Sequence, residues 1–204
     1  MRRIGLMGGS FDPVHNGHLK LAREALAAGC VERVLFLPTG NPPHKLGRLA
    51  PKLDRLRMVE LALEGEAGMA VCREEIDRDG VIYTVDTLKS LACALPGCRL
   101  DYLIGADTLH ALGTWRQVDE VIRRCGFLVM MRSGEEESGV RALADDWRAK
   151  GARIAFLPVC KVDVSSTQIR ERVKKGLPIG GLVPPSVAAY IAALGLYREG
   201  SEAR

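Results

Sequence analysis

Residues 8–18 read Gly-Gly-Ser-Phe-Asp-Pro-Val-His-Asn-Gly-His. Before them lies a short apolar run, residues 4–7. After them Leu19, Ala22 and Leu26 recur at helical spacing on one face. The order predicts a buried strand that turns through glycines into the start of a helix. Gly8 and Gly9 let backbone N–H groups approach a ligand with no Cβ in the way. His15 and His18 then stand beside the positive end of the following helix. A strand, a glycine turn, a helix start and two imidazoles make a site for phosphate, with cationic help where charge develops.

The same alternation repeats outward along the chain. Apolar, strand-like runs recur at residues 34–37, 69–72, 102–104, 127–131 and 154–157. Helix-like segments fall between most of them, at 16–28, 53–64, 84–94, 115–124 and 139–150. Strands that are apolar throughout and alternate with helices predict a parallel sheet covered on both faces. The expected fold is α/β, a Rossmann-like doubly wound parallel sheet with right-handed crossovers. The strand ends carry the polar residues, at 8–10, 39–41, 105–107 and 165–167. Ligands bind at the carboxyl ends of strands in such sheets, so these clusters should share one crevice.

The last forty residues change character. Ser166 or Thr167 can cap a helix running to about Lys175, closed by Gly176 and Pro178. A second helix should follow Pro184-Pro185, from Ser186 to about Leu194. The expected organisation is one domain over 1–204, with a helical subdomain from about 165 folded back on the sheet. Residues 41–51, rich in Pro, Gly and Lys, flank the crevice as a candidate lid, and 133–138 form a second loose loop.

Composition narrows the function classes. With 204 residues and 47% hydrophobic content the chain can bury a substantial core. A net charge of +4 suits small anionic ligands, and no Lys/Arg run resembles a nucleic-acid-binding arm. No apolar run approaches a membrane span. No secretory leader is visible, so the expected compartment is the cytoplasm. The six cysteines form no Cys-x-x-Cys pair and should be reduced thiols. The oligomeric state stays open, a homo-oligomer included.

Each motif has a plainer reading. Gly-Gly after a strand is common, Asp12-Pro13 alone is an ordinary turn, and two histidines three apart can ligate metal. No acidic residue stands between the histidines and no third ligand is evident, so no metal site is expected. Residues 164–170, Val-Ser-Ser-Thr-Gln-Ile-Arg, read alone as a capped helix. Arg170 lies one turn above Ser166, however. Two hydroxyls, free N–H groups and a guanidinium then surround one anion, and beside the first motif a triphosphate is the better occupant.

Together these residues resemble the nucleotidyltransferase superfamily marked by His-x-Gly-His and Ser-Ser-Thr-x-x-Arg. The resemblance extends to the bacterial nicotinate mononucleotide adenylyltransferases and covers nearly the whole chain. Its narrower markers are Pro-Pro-His-Lys at 42–45, Asp54-Arg55, Tyr-Thr-Val-Asp-Thr at 83–87, Ile-Gly-Ala-Asp at 104–107 and Trp115. It implies adenylyl transfer from ATP to nicotinate mononucleotide, with Mg²⁺, giving nicotinate adenine dinucleotide and pyrophosphate. It places His15, His18, Lys45 and Arg170 in catalysis. Gly8, Gly9, Ser10, Phe11, Asp107, Ser166 and Thr167 fall to ATP, and Tyr83, Thr84 and Trp115 to nicotinate mononucleotide. Ile82, Ala111 and Arg116 depart from the family's residues around the nicotinate pocket.

The chemistry implied needs no covalent nucleophile, because a phosphate monoester already carries a nucleophilic oxygen. The protein supplies alignment and positive charge. Alternatives stay open at this point. They are a phosphopantetheine adenylyltransferase, an enzyme using nicotinamide mononucleotide, a nucleotide-binding regulator without turnover, and a metallohydrolase using the histidine pair. Among the remaining residues, His110 and Trp147 read as structural, and Arg55 as a residue that holds a loop.

Overall fold

A computed structural model describes residues 1–40, 49–131, 137–157 and 164–198. Six strands form one sheet: β1 (Arg3–Gly9), β2 (Arg33–Pro38), β3 (Met69–Val71), β4 (Arg99–Gly105), β5 (Cys125–Met130) and β6 (Arg153–Phe156). All pairings are parallel, in the order β3-β2-β1-β4-β5-β6. This is the doubly wound arrangement the apolar runs predict, with the order reversing between β1 and β4.

The pleat explains why these runs are apolar throughout. Ile4 and Leu6 of β1, Tyr102 and Ile104 of β4, and Phe127 and Val129 of β5 point into one core. Met7, Leu103 and Leu128 point into the other. Side chains alternate across the sheet, and both faces are covered, so both sets must be hydrophobic. Each fully buried Leu or Phe contributes roughly 1.5–3 kcal/mol relative to exposure.

The first core packs against α1 (Asn16–Ala27), α2 (Lys52–Leu63), α7 (Ser166–Lys174) and α8 (Pro185–Leu194). The second packs against α3 (Thr84–Ala94), α4 (Ala106–Ala111), α5 (Val118–Arg124) and α6 (Glu137–Ala149). Ile169 of α7 and Val187 and Ile191 of α8 share their core with Leu19 and Ala22 of α1. The C-terminal helices therefore close the face that carries the signature turn.

Two local expectations change. The helix expected over 115–124 begins only at Val118, because Gln117 holds a left-handed φ of 53° and Trp115 is extended. A side chain other than glycine in that conformation breaks helical continuity. The residues after β4 instead form α4 and a single 3₁₀ turn, Leu112–Thr114. At α7 the cap is Ser165, not Ser166 or Thr167: Ser165 is extended and its hydroxyl accepts from the Gln168 N–H. Gly176, at φ 66°, ends that region as the sequence suggests.

Cys30, Cys72, Cys93, Cys98 and Cys125 are free thiols, while Cys160 lies outside the described residues. Among the described residues no helix is long and apolar enough to cross a membrane.

Candidate active site

The carboxyl ends of β1 and β4 open into a cavity of about 470 Å³ at the point where the strand order reverses. Of the residues the sequence picks out, Gly8, Gly9, His15, His18, Thr84 and Trp115 line it. Ser10, Phe11, Tyr83, Asp107, Ser166, Thr167 and Arg170 stand outside its described wall. Lys45, with the rest of 41–48 and so most of the candidate lid, lies outside the described residues.

The histidines sit where the turn becomes α1. His15 is its N-cap residue, extended and buried, and the ring of His18 stacks on His15 with centroids 3.7 Å apart. The His15 N–H donates to His18 Nδ1 at 3.2 Å. Burial, reinforced by His15, pushes the His18 pKa well below the usual imidazole range. This corrects the cationic reading for His18 in the unliganded protein: a half-buried ring stacked on another imidazole disfavours charge. With Nδ1 accepting, the neutral ring carries its proton on Nε2. His18 is thus a fixed neutral donor. An arriving polyanion favours its protonation.

Phe11 is a packing residue behind the cavity wall. It is fully buried, at φ 47°, edge-on to His18 at 5.0 Å and against Phe36 at 5.6 Å. Any ATP contact at this position therefore falls to its backbone. The α1 N-terminus is partly occupied already, since the Asn16 N–H donates to the Leu182 carbonyl at 2.9 Å.

The second motif approaches the turn from the opposite side. The Ser166 hydroxyl donates to the Pro13 carbonyl at 2.8 Å, and so fastens α7 to the signature. Arg170 Nη1 donates to the Asp12 carbonyl at 2.7 Å, and Nη2 to Thr167 Oγ1 at 3.2 Å. Its side chain is about one-third exposed.

The other end of the cavity is aromatic. Gly8 is required there, because a Cβ would come within 2.6 Å of the Tyr102 hydroxyl. Tyr102 is buried, shares a hydrogen bond with Thr84, and meets the indole of Trp115 edge-on at 5.7 Å. Burial raises its pKa well above the usual phenol value. Tyr83 is covered by the guanidinium of Arg116, 4.5 Å from its ring centroid. Asp107 is exposed in the first turn of α4. Thr84 opens α3, whose N-terminus brings the positive end of an eleven-residue helix to this wall.

Three residues matter here that the sequence reading passes over or treats as ordinary. Asp12 is only 1% exposed, and its Oδ1 accepts from the Ala50 N–H at 3.2 Å and the Tyr197 hydroxyl at 2.7 Å. Arg55 is buried with Nη1 on the Ser10 carbonyl, Nη2 on Gly40 and Nε on Ala50, at 2.7, 2.9 and 3.1 Å. It holds the loop, as its position in the sequence suggests. Glu75 lines the cavity, buried, and accepts from Thr87 Oγ1 at 2.9 Å. The neighbouring Ile76 is interior as well, at 1% exposed.

Burial pushes the Glu75 carboxyl up to about 7. The folded chain then holds a proton that the unfolded chain releases from its ordinary value near 4.5 upward. The stability that Glu75 contributes should therefore fall as pH rises from about 4.5 through 7, by roughly 3 kcal/mol at full deprotonation. Glu75→Gln keeps an acceptor for Thr87 and removes the titration. Between pH 5 and pH 8 the urea midpoint of the parent should move downward relative to that of Glu75→Gln; parallel pH dependence in the two proteins contradicts this assignment.

Among the described residues, no group of three or more His, Cys, Asp or Glu is placed to hold a metal ion.

The Cytidylyltransferase-like family matches residues 6–172. A Desulfitobacterium hafniense protein named "Probable nicotinate-nucleotide adenylyltransferase" is 41% identical over 199 residues, covering 97% of this chain and 96% of its own. A protein of the same name from Dehalococcoides mccartyi is 40% identical over 197 residues, covering 96% and 97%. Among solved structures, Plasmodium falciparum nicotinic acid mononucleotide adenylyltransferase complexed with NaAD superposes with a TM-score of 0.78 at 16% identity. That superposition covers 97% of this chain and 98% of the other, and it establishes the shared fold.

Proposed function

The chain belongs to the nicotinate-nucleotide adenylyltransferases, and from that premise we propose how its crevice carries the reaction. The enzyme transfers the adenylyl group of ATP to nicotinate mononucleotide, giving nicotinate adenine dinucleotide and pyrophosphate in NAD biosynthesis. ATP enters as its complex with a divalent cation, Mg²⁺. Relatives matched over nearly their full length favour this acceptor over phosphopantetheine.

The observation that carries the reading is the stacked His15–His18 pair at the strand-order reversal, at one end of a cavity whose other end is aromatic. The triphosphate lies over Gly8–Phe11 and the start of α1, with His18 Nε2–H donating to it. Arg170, Thr167 and Lys45 close on its outer phosphates, and Ser166 holds α7 in place. Asp107 faces the nucleotide ribose. The pyridine ring stacks on Trp115, beside Tyr83 and Thr84.

A 5′-phosphate oxygen of nicotinate mononucleotide attacks the α-phosphorus in line. The new P–O bond forms as the bond from the α-phosphorus to the bridging oxygen breaks, and pyrophosphate leaves with that electron pair. No covalent intermediate on the protein is needed. Preorganised donors and the helix terminus stabilise charge that is spread over the phosphoryl oxygens.

Acceptor choice follows from the same wall. The nicotinate carboxylate meets the N-terminus of α3, where a neutral amide forms weaker bonds. One charge-assisted hydrogen bond contributes about 1.5–3 kcal/mol, or roughly tenfold to a hundredfold in discrimination. Steady-state kinetics should give a higher kcat/KM for nicotinate mononucleotide than for nicotinamide mononucleotide by about that factor. Equal or better use of the amide overturns the acceptor assignment and leaves adenylyl transfer standing.

A further inference from the structure

Two residues other than glycine hold left-handed backbone around one buried carboxylate. Phe11, at φ 47°, precedes Asp12 in the signature turn; Tyr197, at φ 65°, follows α8 at the far end of the described chain. Side chains other than glycine rarely adopt this conformation, and such residues persist where their surroundings fix them. What fixes Tyr197 is visible. Its ring packs on the core shared by α1 and α8, and its hydroxyl donates to Asp12 Oδ1 at 2.7 Å.

Asp12 sits where four segments meet. Its Oδ1 takes the Tyr197 hydroxyl and the Ala50 N–H. Its backbone carbonyl takes Arg170 Nη1. The neighbouring Ser10 and Pro13 carbonyls take Arg55 and Ser166. Asp12 Oδ2 is buried with no hydrogen-bond partner among the described residues, and Arg170 Nη1 stands 3.8 Å from it. A buried carboxylate oxygen left unpaired attracts the nearest cation strongly. The guanidinium that the triphosphate needs is therefore the group Asp12 would draw inward. Each hydrogen bond supplied to Asp12 from elsewhere reduces that competition.

We infer that Tyr197 is a positioning residue for the ATP end of the site: its hydroxyl satisfies Asp12 and so keeps the part-exposed guanidinium of Arg170 available to the triphosphate. The inference rests on the placement of the triphosphate given above. It assigns a role to a residue 185 positions from its partner and outside both sequence motifs.

Tyr197→Phe tests it, because the ring packing stays and one oxygen goes. The expected result is a KM for ATP raised about tenfold, the effect of one hydrogen bond to a charged group. The KM for nicotinate mononucleotide should stay within about twofold. In an Asp12→Asn background, where the competing charge is gone, adding Tyr197→Phe should change the ATP value by less than about twofold. Calorimetric titration with MgATP should show the same tenfold weakening without turnover. The inference thus fails separately from the choice of acceptor, which the wild-type product reports. An unchanged KM for ATP, equal shifts for both substrates, or an undiminished effect of Tyr197→Phe in the Asp12→Asn background overturns it.

Discussion

Replacing His18 with alanine should lower kcat by about a hundredfold to a thousandfold, the usual cost of one preorganised donor to a developing oxyanion. The ring is half-buried, stacked on His15, and bonded through Nδ1 to the His15 N–H. Those contacts orient Nε2–H without any movement at the moment of reaction. The loss should appear in kcat and in kcat/KM alike, because the contact strengthens as charge develops on the phosphoryl oxygens. Cooperative thermal unfolding and an unaltered circular dichroism spectrum should accompany it. Burial of the neutral ring adds a second signature. The stability that His18 contributes should be lost as pH falls below the ordinary imidazole value, opposite in sign to the Glu75 contribution. A variant retaining most of its kcat would reduce His18 to a packing residue.

The largest expected effect on stability lies at Arg55, whose guanidinium joins three segments through the Ser10, Gly40 and Ala50 carbonyls. It is only 2% exposed. Arg55→Ala leaves three acceptors without their donor and opens a cavity, and the buried charge that faces Asp12 is lost with it. Each orphaned polar group costs about 1–3 kcal/mol, and breaking a buried charged contact typically costs about 3–5 kcal/mol. These costs fall on one side chain and overlap, so they do not add in full; a total loss of about 3–5 kcal/mol is expected, read as a fall in the urea midpoint with the slope preserved. Arg55→Lys should recover only part of it, since an ammonium cannot reach three carbonyls with a planar fork. A loss under about 1 kcal/mol would show that the loop is held by other contacts.

Much of the frame is legible in the chain because its signals are local. All six strands announce themselves as apolar runs, and the turn between β1 and α1 is written in consecutive residues, so the fold and the crevice follow together. Trp147 proves buried, as a packing residue should be. What resists reading is non-local. Asp12-Pro13 looks like an ordinary turn until Tyr197 and Ala50 are brought to its carboxylate by the closing of α8 and α2 on the same face. Glu75 belongs to no motif, and only the fold brings its buried carboxyl to the cavity wall, where its carbonyl lies so close to Gly40 that no Cβ would fit. The Ser-Ser-Thr run suggests three equivalent hydroxyls. In the fold they divide: Ser165 caps the helix, Ser166 fastens α7 to Pro13, and Thr167 braces Arg170. Sequence spacing brings such groups near one another, while only the packing of distant elements decides which of them is already engaged.

The proposed reaction joins ATP to nicotinate mononucleotide in this crevice through the His15–His18 pair. The most direct test incubates wild type and His18→Ala side by side with MgATP and nicotinate mononucleotide, and identifies the products by mass. Wild type should yield nicotinate adenine dinucleotide and pyrophosphate in equal amounts, and His18→Ala a small fraction of both in the same time. Wild-type enzyme that forms no dinucleotide, or a His18→Ala variant that forms it at an undiminished rate, would contradict the account.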